Sequence, residues 1–308
     1  MNLEFNLIFT QVRPKTTIGK IIQFSLTRII IVILFLLPVT ILNQIVKSNV
    51  GQIFTPIFVN IVNYGLDFAT LVLFIIVYGI YTKIVERREP YEFSFRELGM
   101  EVGAGFMLSV CLVSLVVIIM YAMGYYKIIG VNPFINLTDV FFAQMMVAFM
   151  EELFFRLILF KLTEEFAGSG IALIVQGLLF GFAHAGNPNA DLWTTLGLVL
   201  SCTFIFGGAF MLTRRIWLIM GIHWGWNFFQ SGVFGMPNSG VLRPRWIIPE
   251  INGPYWITGG AWGIEVSFIA ILLLFLIGIY VYIRAVKNGQ YVKPIWIRRK
   301  IGGNFNAV

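Results

Sequence analysis

Charge is scarce in this sequence. Only 12% of the 308 residues are Asp, Glu, Lys or Arg, while 58% are hydrophobic, against about 25% charged in a soluble globular domain. Such a composition marks a membrane protein. The short alternating strands of an outer-membrane barrel are missing, which leaves helices as the spanning elements. Cysteine is nearly absent: Cys111 and Cys202 both fall inside apolar runs, so neither a disulfide framework nor a Cys-rich metal site is expected. No nucleic-acid motif accompanies the formal net charge of +7, so no nucleic-acid partner is expected. Neither Gly-x-Ser-x-Gly nor His-Glu-x-x-His occurs, which argues against a serine hydrolase and against the usual soluble zinc protease. Histidine occurs twice, at His184 and His223.

What remains is a series of long apolar runs. Eight are expected to cross the bilayer, at about residues 24–45, 57–84, 102–123, 137–162, 171–185, 192–212, 216–234 and 262–282. The fold class is therefore all-α, a polytopic membrane helix bundle forming a single domain over residues 1–308. A mixed segment at 1–22 precedes the first span without a cleavage site and is expected to stay on the protein. Residues 235–261, rich in Gly, Pro and Trp, form one long loop, read as a cap returning to the membrane surface. Residues 286–308 form a basic tail. With the N-terminus inside, 17 of the 22 Lys and Arg residues lie on the cytoplasmic side. Lys47, Lys127, Arg243 and Arg245 lie opposite, and Arg156 sits within a span. That asymmetry places both termini in the cytoplasm and accounts for the positive charge.

Three polar groups interrupt the spans. In Phe149-Met150-Glu151-Glu152-Leu153-Phe154-Phe155-Arg156 two carboxylates and a guanidinium enter an apolar run. Each would cost about 2.5–3.5 kcal/mol at membrane depth without partners or a task. Glu152 and Arg156 are one helical turn apart and can pair, while Glu151 is rotated about 100° away. The structural alternative is an ion pair with one buried neutral Glu. The second group is Phe180-x-x-x-His184. The turn signal Ala167-Gly168-Ser169-Gly170 lies midway between Glu151 and His184, so an antiparallel hairpin would set them at one depth. The third is His223-x-x-x-Asn227. Gly177 with Gly181, and Gly221 with Gly225, allow close helix approach beside these groups. A carboxylate and a histidine sharing a water make a general-base site for hydrolysis, and a second His with an Asn can hold an oxyanion. The same Glu151, His184 and His223 also make a His₂Glu set suited to one divalent metal such as Zn²⁺.

Glu-Glu-x-x-x-Arg, Phe-x-x-x-His and His-x-x-x-Asn on successive apolar segments resemble the CAAX protease and bacteriocin-processing family of intramembrane proteases. The resemblance covers about residues 138–232. The stretches around Phe234–Gly240 and Gly253–Gly263 look like its bacterial branch. By that resemblance Glu151 and His184 activate water, His223 and Asn227 form the oxyanion hole, and Glu152, Arg156 and Phe180 support them. The family's chemistry is compatible with either a metal or a metal-free glutamate mechanism. Leu157 departs from the glycine that many relatives carry after the arginine. The implied activity is an endopeptidase acting on membrane-associated peptides or proteins, embedded in the lipid of a bacterial cytoplasmic membrane. Its non-enzymatic competitor is a membrane immunity or regulatory binding protein. A proton-coupled transporter would use the same residue types, but no inverted repeat or paired broken helix supports it. Helix lengths place the site partway into the membrane, opening to the cytoplasm if the charged turn at Lys161, Glu164 and Glu165 projects that way.

Overall fold

The computed structural model describes residues 5–53, 56–132 and 137–300. The first four residues of the 1–22 segment, and positions 301–308 of the basic tail, lie outside the described residues.

The chain is an all-α polytopic membrane bundle. Its long helices are α1 (Ser25–Ile53), α2 (Pro56–Tyr81), α3 (Leu98–Ala122), α4 (Leu137–Glu152), α5 (Lys161–Ala183), α6 (Leu192–Thr213), α7 (Ile216–Phe228) and α8 (Phe268–Lys287). Among the described residues, six stretches are long and apolar enough to cross a membrane. One of them, Leu137–Gly186, runs for 50 residues and passes through a π-helical segment, Leu153–Phe160, between α4 and α5. It breaks at Gly168, whose φ is 81°. A Cβ there would stand 2.7 Å from the Pro294 nitrogen and 2.8 Å from the Val292 carbonyl oxygen, so only glycine fits the turn. One apolar run thus supplies two of the segments expected from the sequence. Helix α7 with its π-helical extension Phe229–Val233 corresponds to another. Side chains such as Ile30, Leu34, Ile76, Ile118, Leu200 and Leu276 are exposed along the helices, as lipid-facing surface requires.

The last span begins later than expected. Ser267 caps α8, its Oγ accepting from the Ala270 N–H at 3.1 Å, and Gly263 holds φ at 131° just upstream. Residues 262–266 therefore form a loop with a 3₁₀ turn instead of the first turn of a span.

Two compact units divide the chain, one drawing on Met1–Ser94, Leu157–Ala172 and Val292–Val308, the other on Phe95–Arg156 and Leu173–Tyr291. The first unit is knit by buried ion pairs. Arg28 meets Glu86 at 3.1 Å and Glu165 at 2.7 Å, Arg88 meets Glu92 at 2.5 Å, and Lys161 meets Glu86 at 3.0 Å and Glu92 at 3.2 Å. The hydroxyls of Tyr78 and Tyr81 donate to Glu92 and Glu86. Three cations against three carboxylates leave no net charge in the network, the condition under which such groups can be buried. Lys161 and Glu164 are wholly buried. The charges of this turn are thus consumed inside the unit.

The second unit is assembled by close helix approach. A Cβ at Gly221 would stand 2.4 Å from the Val102 carbonyl oxygen and one at Gly225 2.7 Å from that of Phe106, so α7 lies against α3 backbone to backbone. Gly181 meets α6 in the same way, 2.7 Å from the Thr195 carbonyl oxygen. The unit also holds a two-stranded antiparallel sheet absent from the expected elements. Strand β1 (Tyr126–Val131) pairs with β2 (Ile247–Ile251), Tyr126 opposite Ile251 and Val131 opposite Ile247. It ties part of the long loop to the segment after α3, and the Tyr126 hydroxyl donates to the Phe234 carbonyl at 2.9 Å.

Candidate active site

The second unit brings together the polar groups of three apolar helices. Glu151 and Glu152 close α4, His184 opens the 3₁₀ turn that ends α5, and His223 and Asn227 lie one turn apart on α7. Glu151 sits between the imidazoles. Its Oε1 is 3.8 Å from His184 Nε2 and its Oε2 is 3.8 Å from His223 Nε2. Its side chain is 25% exposed, whereas that of Glu152 is fully buried. The Glu151 Oε2 atom makes no hydrogen bond within the protein.

Both imidazoles are held by the nitrogen turned away from Glu151. His184 Nδ1 lies 2.8 Å from the Phe180 carbonyl oxygen, one helical turn back. Only an N–H can make that bond, so in the neutral ring the Nε2 facing Glu151 is an acceptor. His223 Nδ1 lies 2.8 Å from Glu152 Oε1. The same oxygen accepts from Arg156 Nη1 at 3.0 Å, so the guanidinium neutralises Glu152 while Glu152 orients His223. Arg156 is sandwiched by aromatic faces, 4.7 Å from the Phe180 centroid and 4.6 Å from that of Phe206, a favourable setting for a desolvated guanidinium. Phe180 thus serves twice, through its ring and its carbonyl.

Asn227 is buried, and its Oδ1 accepts from Asn238 Nδ2 at 3.2 Å. With the oxygen engaged, the amide NH₂ is the group left to donate. Gln144 Nε2 bonds both Asn238 Oδ1 and Ser231 Oγ, at 3.3 and 3.2 Å, so a polar ladder runs from α4 through the loop to α7. Glu265 holds the far side of that loop: Gln230 Nε2 donates to its Oε2, and the Ser239 N–H donates to its Oε1 at 2.6 Å. Burial pushes the Glu265 carboxyl up to about 7. Gln144 and Glu265 were not singled out in the sequence, Asn238 and Ser239 appeared only within the stretch Phe234–Gly240, and Arg243 only as a charge on the non-cytoplasmic side. Glu265 carried a signal of its own, a lone carboxylate against the apolar run that becomes α8.

These groups line a cavity of about 210 Å³, from Phe206 and Ile222 at its depth to Asn187, Ser239, Val241 and Arg243. The last four follow the C-terminal ends of α5 and α7, while the Arg214–Arg215 turn joins the opposite ends of α6 and α7. These lining residues therefore lie at the end of the unit away from the Arg214–Arg215 turn.

The donor set fits a shared metal poorly. Tetrahedral zinc with bonds of about 2.0–2.1 Å needs ligand atoms about 3.3–3.4 Å apart, and here both histidine nitrogens stand 3.8 Å from Glu151. Among the described residues no group of three or more His, Cys, Asp or Glu side chains is placed to hold an ion.

Residues 133–229 match the family described as type II CAAX prenyl endopeptidase Rce1-like. The matched stretch, just under a third of the chain, contains Glu151, Glu152, Arg156, Phe180, His184, His223 and Asn227 and is similar to that family. No curated protein and no solved structure matches the chain.

Proposed function

We propose that this integral membrane protein, whose core is similar to that of the CAAX proteases, is an endopeptidase that hydrolyses membrane-associated peptides by a glutamate- and histidine-activated water. The observation that carries the reading is the Glu151 carboxylate flanked at 3.8 Å by two imidazole Nε2 atoms. Both rings are fixed from behind, one by a carbonyl and one by a carboxylate.

In the reaction a water donates one proton to Glu151 as its oxygen attacks the scissile carbonyl carbon. His184 Nε2 accepts the second hydrogen of that water and so orients it. The carbonyl π pair moves onto oxygen. The oxyanion is met by the Asn227 NH₂ and by the His223 imidazole, which Glu152 holds through Nδ1. Glu151 then returns the proton to the amide nitrogen as the C–N bond breaks, giving a new carboxyl terminus and an amine. No step is routed through a metal. With the Arg214–Arg215 turn in the cytoplasm, the cavity opens to the opposite side of what we take to be a bacterial cytoplasmic membrane.

Glu151→Gln removes the proton acceptor while keeping size and polarity. Its cleavage rate is expected to fall by about 10²–10⁴-fold with the thermal melting profile unchanged, and His184→Ala is expected to behave likewise. Undiminished cleavage by purified Glu151→Gln protein would sink the proposal. Metal analysis runs beside it. A one-to-one ion present in wild type and lost from His184→Ala would move the water activation onto a metal.

A further inference from the structure

Arg243 is a cation that pairs with no carboxylate among the described residues. It lines the same cavity as Glu151, His184 and Asn227. The side chain is half-buried, and its Nε is shielded from solvent with no hydrogen-bond partner. Burial pulls its pKa down, and no carboxylate raises it again. Several other guanidinium groups of the chain are paired with carboxylates. Arg28 and Arg88 each meet two glutamates, Arg156 meets Glu152, and Arg215 meets Glu101 at 2.5 Å.

The carboxylates of this cavity are committed elsewhere. Glu265 takes hydrogen bonds from Gln230 and Ser239, and Glu151 faces the two imidazoles. A guanidinium keeps its charge at any ordinary pH, and a half-buried charge with no partner is unfavourable until something supplies one. The loop that carries Arg243 is fixed on both sides. Asn238 is bonded to Asn227, and beyond Arg243 the Trp246 N–H donates to the Gly232 carbonyl at 2.7 Å. The loop backbone on either side of Arg243 is therefore held in place at the cavity.

We propose that Arg243 is the specificity-determining residue of this site and binds a carboxylate of the substrate, either an acidic side chain or a free C-terminus. The planar fork of the guanidinium matches a carboxylate with two parallel N–H···O bonds. The proposal rests on the endopeptidase reading for what enters the cavity, but peptide binding can be measured without cleavage.

The test uses the full chain in lipid nanodiscs and three fluorescent apolar peptides. They share one sequence and differ only in an amidated C-terminus, a free C-terminus, or an amidated C-terminus with one internal Gln replaced by Glu. Dissociation constants are read on Glu151→Gln protein and KM on wild type. One acidic peptide is expected to bind about tenfold tighter than the neutral one, and which of the two does so identifies the source of the carboxylate. Adding Arg243→Gln should bring that ratio close to one, and Arg243→Lys should retain part of it. Equal binding of all three peptides, or a ratio unaltered by Arg243→Gln, overturns the proposal. A carboxylate preference without any cleavage by wild type supports Arg243 and strikes the endopeptidase reading. Cleavage with no preference strikes Arg243 alone.

Discussion

At the scale of single residues, adjacent glutamates in α4 have opposite surroundings. Glu152 is fully buried between Arg156 and His223, whereas Glu151 keeps a quarter of its side chain exposed on the cavity. A helical step of about 100° produces that division, so it could be read from the sequence as soon as Arg156 claimed Glu152. Glu265 could not be read so. Its carboxyl lies near 7 because burial outweighs the hydrogen bonds from Gln230 and Ser239. The sign of its effect follows. Below the ordinary carboxylate pKa of 4.5 the group is neutral in both folded and unfolded chains. Between there and about 7 only the unfolded chain ionises, so stability falls with rising pH, by about 3 kcal/mol in all. Thermal melts between pH 4.5 and 8 should show this loss in wild type, and Glu265→Gln should flatten it. A pH profile identical in both proteins would remove Glu265 from the account.

At the scale of elements, the distances among Glu151, His184 and His223 depend on how closely helices approach. His223 lies two residues beyond Gly221, where α7 touches the α3 backbone. Gly221→Val would force the side chain into the Val102 carbonyl and push α7 outward. Misplacing a catalytic group by about 1 Å costs on the order of 10² in rate, so kcat should fall by that order while the protein still inserts and folds. Retention of full activity would show that α7 is positioned by something other than this contact. The small-xxx-small pattern was visible in the sequence; which helix it met was not, because glycine spacing marks a face and names no partner. The long loop is the converse case. Its composition suggested a cap, but its pairing with Tyr126–Val131 rests on a strand too short to stand out among long apolar runs.

For the whole molecule, the question is which side of the membrane the site serves. The asymmetry of Lys and Arg assigns the Arg214–Arg215 turn to the cytoplasm, and the cavity residues Asn187, Ser239, Val241 and Arg243 lie at the other end of the unit. A cysteine at Pro188, beside Asn187, should therefore react with a membrane-impermeant maleimide on intact cells, while one at Lys293 should react only after permeabilisation. Cys111, which is exposed, is replaced by alanine first. The reverse labelling pattern would turn the site toward the cytoplasm. By itself, the sequence determined that this is a helical membrane protein and which polar residues its spans carry, because hydropathy and helical periodicity are local properties of the chain. The tertiary structure alone decided that Glu151 lies between the two imidazoles, that the charged turn at Lys161 is consumed in a buried ion network, and that the loop places Asn238, Arg243 and Glu265 around the cavity. Those outcomes join residues far apart in sequence, and no local pattern encodes the distances between them.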